Sequence, residues 1–150
     1  MLIKMMNRLK KEEKGFTLIE LLAVIVILAV IAAIAVPYIL GVIDKSKKDA
    51  DIATFHQVYE AARLYITSEN IPTSPTGTVL VADLITSGYL DAATVYPSTK
   101  AKITTGTLSY TAGKLSGTVT IKAGTLTYSL PSDVVVAGSG TTAPTATTLP

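Results

Sequence analysis

The sequence predicts an α+β protein in which one long N-terminal helix packs on a small antiparallel β-sheet. Two patterns predict the helix: 23 residues without a charge, Leu21 to Ile43, and a continuing apolar stripe at helical spacing. About 20 apolar residues suffice for a helix to cross a bilayer. A third pattern, the alternation typical of strands, begins near residue 103. A chain of 150 residues predicts one domain, with residues 70–150 left for the globular part.

The helix is expected to run from Phe16 to about Glu69 in two halves. Residues 16–43 are apolar all round, whereas residues 44–69 are amphipathic, a pattern that buries one helix face. The apolar stripe of the second half has spacings of three and four residues and consists of Ile52, Phe55, Tyr59, Ala62 and Ile66. The helix is expected to end at Asn70-Ile71-Pro72, because residues before proline avoid the α conformation.

The apolar half contains a predicted weak point at Pro37 and Gly41. Proline has no N–H to donate to the carbonyl of Ala33, and its ring crowds that turn. Gly41 follows one turn later. We therefore expect residues 33–41 to be the weakest stretch of the helix.

Residues 70–136 are predicted to form a small α+β head. A connector over residues 71–78 leads to a short helix that Thr78 caps and Gly88 ends. Its inward-facing residues are expected to be Leu80, Val81, Leu84 and Ile85, and Tyr89 and Leu90 then return to the core.

Three antiparallel strands are predicted after Ile103. Apolar residues alternate there with Thr and Ser, and turns separate the strands at Ala112-Gly113-Lys114 and Ala123-Gly124. The alternating sets are Leu108/Tyr110, Val119/Ile121 and Leu126/Tyr128/Leu130. Val134–Val136 is a possible fourth strand. Residues 137–150 show no pattern and are expected to be a flexible tail rich in Ser, Thr, Gly and Pro.

Charge is distributed unevenly along the chain. Residues 1–15 carry five basic and two acidic side chains, a net charge of +3, and the remaining residues have a net charge of −1. A basic flank before a membrane span stays in the cytoplasm, which predicts that the head lies outside. No basic stripe with interleaved aromatic residues occurs, so nucleic-acid binding is not indicated. The absence of cysteine excludes disulfides and thiolate metal sites.

The sequence gives only weak signals for a catalytic or metal-binding site. His56 has no Cys or His companion, and a surface or lightly packed position is the better interpretation. The acidic residues Asp44, Asp49 and Asp51 flank Lys45, Lys47 and Lys48 and predict a solvated helix face, with a calcium site a remote alternative. No nucleophile motif, phosphate loop or carboxylate pair is present, so we expect no enzyme activity, cofactor or metal.

Glu20 is the most informative single residue. A carboxylate buried without a partner at mid-membrane costs roughly 2.5–3.5 kcal/mol, so its place beside the apolar run predicts a cationic partner. A secretory signal peptide, cut at Ala33-Ile34-Ala35, is one simpler interpretation. An ordinary single-span anchor is another. Glu20 and the helical pattern that continues beyond Ile43 count against both.

The segment Lys14-Gly15-Phe16-Thr17-Leu18-Ile19-Glu20-Leu21-Leu22, with Pro37 downstream, closely resembles the N-terminal signature of type IV prepilins and pseudopilins. The resemblance implies a type IV pilin-like fold. It also implies that a membrane-embedded prepilin peptidase and methyltransferase cuts between Gly15 and Phe16, removes residues 1–15 and methylates Phe16.

Cleavage would create a new ammonium on Phe16, one helical turn from Glu20. A carboxylate in apolar surroundings needs a cation, and this amine is expected to supply it, either within one subunit or from a neighbour. The family resemblance favours the neighbour, so Phe16 and Glu20 are predicted assembly residues. It also implies that the helix stretches near Pro37 inside a fibre, although a mere kink remains an equal alternative.

The resemblance implies a structural subunit of a type IV pilus that serves adhesion, twitching motility or DNA uptake. The expected partners are further copies of the chain, the prepilin peptidase, the assembly platform and motor proteins, and the bacterial cytoplasmic membrane. The final location would be a cell-surface fibre. A pseudopilin of a type II secretion or competence machine is the first alternative, and a membrane-tethered binding domain that never polymerises is the second.

Overall fold

A computed structural model describes residues 17–148 of the chain. The helices are α1 (Leu18–Glu69), α2 (Val81–Thr86) and α3 (Ser132–Ala137). The strands are β1 (Thr76–Leu80), β2 (Ile103–Thr111), β3 (Lys114–Ala123), β4 (Leu126–Pro131) and β5 (Thr145–Thr148). The chain divides into two units, one ending at Val42 and the other beginning at Ile43.

The described part of the first unit is almost entirely helical. Helix α1 continues through Pro37 without interruption, and the large apolar side chains from Leu18 to Val42 are exposed. The predicted start at Phe16 lies outside the described residues, whereas the predicted end at Glu69 is confirmed. The weakness assigned to Pro37 and Gly41 stays a prediction.

The second unit contains the sheet and its core. The five strands follow one another in sequence order, and every neighbouring pair is antiparallel. The predicted stripe of α1 contributes to the core, with Ile52, Phe55 and Ala62 fully buried and Tyr59 and Ile66 packed beside them. The predicted α+β architecture of a long helix on an antiparallel sheet is therefore confirmed.

The prediction of which strand residues face inward is also confirmed. Leu108 and Tyr110 of β2, Val119 and Ile121 of β3, and Tyr128 and Leu130 of β4 are all buried. Leu126 of β4 is half-buried and packs against them. They alternate with more exposed Thr, Ser and Lys residues, as a sheet with one buried face requires.

The segment before α2 differs from the prediction. Thr78 does not cap a helix, since it lies inside strand β1 and pairs with Ser109. Helix α2 begins only at Val81, after Leu80, which is exposed. Residues 76–80 pair with β2, which satisfies their backbone groups on that side, and the strand buries Val79 in the core. Leu84 and Leu90 are buried as predicted.

The end of the chain also differs. Val134–Val136 is not a fourth strand, because these residues belong to α3, which buries Val135 and ends at Gly138 in the left-handed conformation. Strand β5 lies within residues 137–150, where the sequence shows no pattern, and pairs with β4 from Leu126↔Thr148 to Ser129↔Thr145. Its side chains are all exposed, so backbone pairing rather than burial defines it.

Candidate functional site

Thr17 and Glu20 bind each other at the start of α1. The backbone N–H and the hydroxyl of Thr17 each donate a hydrogen bond to Oε2 of Glu20 at 2.9 Å. In return, the backbone N–H of Glu20 donates to Oγ1 of Thr17 at 3.2 Å. This reciprocal arrangement is a capping box, in which the side chains at the helix N-terminus satisfy otherwise free backbone donors. The Thr-x-x-Glu spacing is the sequence signature of this box, and the box was not among the predictions.

The carboxylate of Glu20 retains an acceptor that the capping box does not use. Both bonds from Thr17 end on Oε2, and Oε1 accepts no hydrogen bond from the described residues. An ionised carboxylate has about four acceptor sites on its two oxygens. Glu20 therefore has the capacity to cap its own helix and to bind a cation at the same time.

The predicted processing residues, Gly15 and Phe16, lie outside the described residues. The predicted pairing of the Phe16 amine with Glu20 thus stays a prediction. Glu20 itself is exposed at the N-terminal end of the helix.

The surface that follows Glu20 is apolar on every side. Over the whole stretch from Leu18 to Ile43, the exposed fractions of the large apolar side chains lie between 43% and 83%. Among the described residues, α1 is the one helix that is long and apolar enough to cross a membrane.

Asp51 does not belong to a solvated acidic face, contrary to the prediction. Asp44 and Asp49 are exposed, but Asp51 is buried and accepts hydrogen bonds from the backbone N–H and the hydroxyl of Ser98. No group of three side chains suited to a metal ion occurs within residues 17–148. The role of Asp51 is therefore to connect α1 to the segment before β2.

His56 connects α1 to the C-terminal part of the chain. Its Nδ1 lies 2.9 Å from the carbonyl oxygen of Val135, so the tautomer with a proton on Nδ1 donates a hydrogen bond to α3. Nε2 faces Oε1 of Glu60 at 4.0 Å. The prediction of a lightly packed histidine thus omitted its tertiary contact, for which an isolated histidine gives no sequence signal.

The comparisons with known proteins concern the N-terminal segment. Residues 10–36 match the model of the prokaryotic N-terminal methylation motif, which spans the predicted cleavage position and the first turns of α1. The searches of curated proteins and of solved structures gave no match to the chain. This motif is the N-terminal signature of type IV prepilins, and the long helix on an antiparallel sheet is a pilin-like architecture.

Proposed function

We propose that the chain is the precursor of a structural subunit of a type IV pilus. Its leader, residues 1–15, is removed between Gly15 and Phe16, Phe16 is methylated, and the mature chain polymerises through the apolar half of its helix. The observation that carries this proposal is the methylation motif at residues 10–36, which leads directly into the exposed apolar surface of α1.

The apolar half of α1 must be shielded from water. Its large side chains lie exposed over more than six helical turns, and water is an unfavourable environment for such a surface. The lipid bilayer covers it before assembly, and equivalent helices of other subunits cover it in the fibre. The proposed division assigns residues 16–43 to this core and residues 44–69, 70–136 and 137–150 to the amphipathic half, the head and the tail.

Transfer from lipid to a fibre core gains little from hydrophobicity, because both environments are apolar. Close packing must then contribute, and small residues allow helices to approach one another. The apolar half of α1 holds five alanines: Ala23, Ala29, Ala32, Ala33 and Ala35. These residues support helix–helix contact in the fibre core.

Glu20 supplies the specificity in this proposal. The capping box leaves Oε1 available, and the methylated amine of Phe16 on a neighbouring subunit is the cation that binds it. An unpaired charge in an apolar core is unfavourable, so a misaligned subunit that leaves Glu20 unpaired is disfavoured. The pair therefore sets the register of stacking.

The proposal places the leader in the cytoplasm and the head outside, because the basic flank precedes the apolar run. The prepilin peptidase and methyltransferase act on the precursor at the cytoplasmic membrane. An assembly platform and motor proteins then extract subunits into a surface fibre. Adhesion, motility and DNA uptake are the functions that such a fibre serves.

Mass spectrometry of fibres sheared from the cell surface tests the proposal. We expect an abundant peptide that begins with methylated Phe16. Fibres absent from the surface, together with loss of secretion or DNA uptake on deletion, would favour a short pseudopilin fibre. A mature chain found only as a monomer in detergent extracts would indicate a tethered binding domain. A retained leader, or an N-terminus beyond Ala35, would contradict the proposed processing.

A further inference from the structure

The sheet of the second unit ends at two free edges. Strand β1 pairs with β2 alone and strand β5 pairs with β4 alone, so no further strand lies beside either of them among residues 17–148. An edge strand carries a row of backbone N–H and C=O groups that lack a partner strand, and these groups can pair with another chain. The two edges are therefore candidate surfaces for contact between molecules.

Neither edge carries the features that usually prevent such pairing. Charged side chains, prolines and β-bulges protect the edge strands of natural proteins. Strands β1, Thr-Gly-Thr-Val-Leu, and β5, Thr-Ala-Thr-Thr, contain no charge and no proline, and each pairs with its neighbour in a regular register. The charged residues of the sheet, Lys114 and Lys122, lie on the interior strand β3, and the register irregularities lie between β2 and β3. Both edges can therefore accept a further strand.

Strand β5 has the most to gain from a second neighbour. Its four side chains are all exposed, so pairing with β4 holds it on one side only. It presents Thr145 and Thr147 on the solvent face of the sheet, and β1 presents Thr76 and Thr78 on the same face. Threonines on adjacent strands interact favourably, so no repulsion between like charges opposes contact of the two edges.

The two edge strands run in the same direction. They are the first and the last strand of a sheet in which β1 to β5 follow in order and every neighbouring pair is antiparallel. Two heads that stand side by side in the same orientation therefore bring β5 of one against β1 of the other as parallel strands. This contact is heterologous, because it uses a different surface on each copy, and it continues from copy to copy into an open chain.

The strands also run along α1. The turn between β2 and β3, at Gly113, lines the same cleft as Arg63 and Thr67 of α1. At the other end of β2, the preceding segment holds Tyr96, whose ring meets Phe55 of α1. The two edges of the sheet thus extend along this helix, through which the subunits are proposed to stack. Subunits of one fibre are equivalent, so their heads share one orientation.

We propose that β5 of one subunit pairs in parallel with β1 of the next copy of the chain, so that neighbouring heads in the fibre form one continuous sheet. The partner is a second copy because the chain itself supplies a complementary edge of similar length, with four residues in β5 and five in β1. Packing of the helices also keeps neighbouring edges at a high effective concentration, which favours a contact that is weak between free molecules. This inference rests on the proposed function, because the fibre places the copies side by side.

Disulfide cross-linking in sheared fibres tests the pairing. The chain contains no cysteine, so cysteines can be placed at the chosen edges alone. Thr147→Cys is combined with Thr78→Cys in one variant and with Thr76→Cys in another, which covers two neighbouring registers. Paired strands lie about 4.8 Å apart, within the Cα separation of about 4.4–6.8 Å that a disulfide spans. We expect at least one variant to give a ladder of covalent multimers on a denaturing gel after oxidation.

Thr118→Cys combined with Thr78→Cys is the matched control. Thr118 is also an exposed threonine of the sheet, but it lies on the interior strand β3. This control should give no ladder, and Thr147→Cys alone should give no dimer, because β5 is not expected to pair with another β5. An equally strong ladder in the control, or dimers of the single variant, would overturn the proposal.

Amide hydrogen exchange of the unmodified chain is a second measurement, independent of any effect of the cysteines on folding. Residues 145–148 are expected to exchange about tenfold more slowly in fibres than in detergent micelles, because strand pairing protects their N–H groups. Without a ladder and without slower exchange the edge pairing is wrong, whether or not fibres form. Fibres without either signal would leave the proposed pilus subunit standing, whereas a ladder in the membranes of cells that make no fibres would support the pairing and contradict the pilus.

Discussion

The buried carboxylate of Asp51 accepts two hydrogen bonds from Ser98, a residue 47 positions later in the chain. One bond comes from the backbone N–H at 3.1 Å and the other from the hydroxyl. No cation lies within 4.0 Å of this carboxylate among residues 17–148. Asp51 is therefore stabilised by hydrogen bonds alone, and it holds the segment between α2 and β2 against α1.

The same segment is anchored by Tyr96, which is fully buried. Its ring stacks on Tyr128 at a centroid distance of 3.9 Å and meets the edge of Phe55 at 6.3 Å. Ser98 follows two residues later, so the contacts of Asp51 and Tyr96 support each other. In a chain without disulfides, such noncovalent contacts must fix this long connection.

Replacing Asp51 by alanine is expected to lower the free energy of unfolding by about 2 kcal/mol, because two hydrogen bonds to a charged acceptor are lost. Chemical denaturation of the full chain in detergent micelles, followed by the fluorescence of its tyrosines, measures the change. Asp49→Ala is the matched control, since Asp49 lies on the same helix and is exposed. Equal stability of the two variants would show that the contact with Ser98 contributes nothing.

A second prediction concerns Gly138, which ends α3 with φ +65°. A Cβ atom there would lie 3.1 Å from Cγ of His56, the residue whose ring binds Val135. Gly138→Ala is therefore expected to cost about 1–2 kcal/mol for the left-handed backbone and about 1 kcal/mol more for the displaced ring. Thermal unfolding measures the loss.

Gly88→Ala separates these two contributions. Gly88 also has a positive φ, +79°, but a Cβ atom there would meet nothing within 4 Å. Its substitution should show the backbone cost alone. The additional loss at Gly138 should disappear when His56→Ala is combined with Gly138→Ala. Equal losses in the two glycine variants would contradict a role for the His56 contact.

These long-range contacts mark the limit of what the sequence could predict. The end of α1 and the inward residues of β2, β3 and β4 depend on local signals, namely a proline and strict alternation, and were predicted correctly. The partners of Asp51 and His56 are 47 and 79 residues away. Nothing near either residue in the chain distinguishes it from a surface residue of an amphipathic helix.

The predictions for two short elements, β5 and α3, were wrong for a related reason. Residues 145–148, Thr-Ala-Thr-Thr, have no apolar alternation, and they form a strand only because β4 offers a free edge. Val134–Val136 suits a strand by composition, yet the turn of α3 buries Val135 and lets Gly138 end the helix. In both cases the tertiary environment, rather than intrinsic propensity, decides the conformation.

A third prediction follows from the burial of Tyr110. Burial raises its pKa to about 12 in the folded chain, above the value near 10 expected for an unfolded one. Between these values the unfolded state has lost the phenolic proton and the folded state has kept it. The stability is therefore fully present below about pH 10 and falls as the pH rises towards 12.

Denaturation at a series of alkaline pH values measures this decline. Tyr110→Phe removes the group that titrates and should flatten the fall, although burial also raises the pKa of Tyr96, which remains. The comparison is made relative to each protein's own stability at neutral pH, so that a general effect of the substitution cancels. A fall in stability that is equally steep in the variant would rule out this role for Tyr110.

The last prediction separates the two roles of Glu20. Glutamine keeps the capping box, because its amide oxygen accepts the bonds from Thr17, but it removes the charge that is proposed to bind the Phe16 amine. Glu20→Gln is therefore expected to abolish or severely reduce surface fibres while the leader is still removed, and the same outcome is expected for Glu20→Ala. Quantification of sheared fibres, with mass spectrometry of the mature N-terminus in membranes, measures both outcomes.

Thr17→Ala is the complementary variant, since it removes the hydroxyl contacts and leaves the carboxylate. Loss of a helix cap costs about 1 kcal/mol, a small effect on a helix held by lipid or by neighbouring subunits. We expect this variant to assemble, and with more fibres than Glu20→Gln. Normal assembly of Glu20→Gln together with failed assembly of Thr17→Ala would show that Glu20 acts through the cap of its own helix. The proposed charge pair between subunits would then be wrong.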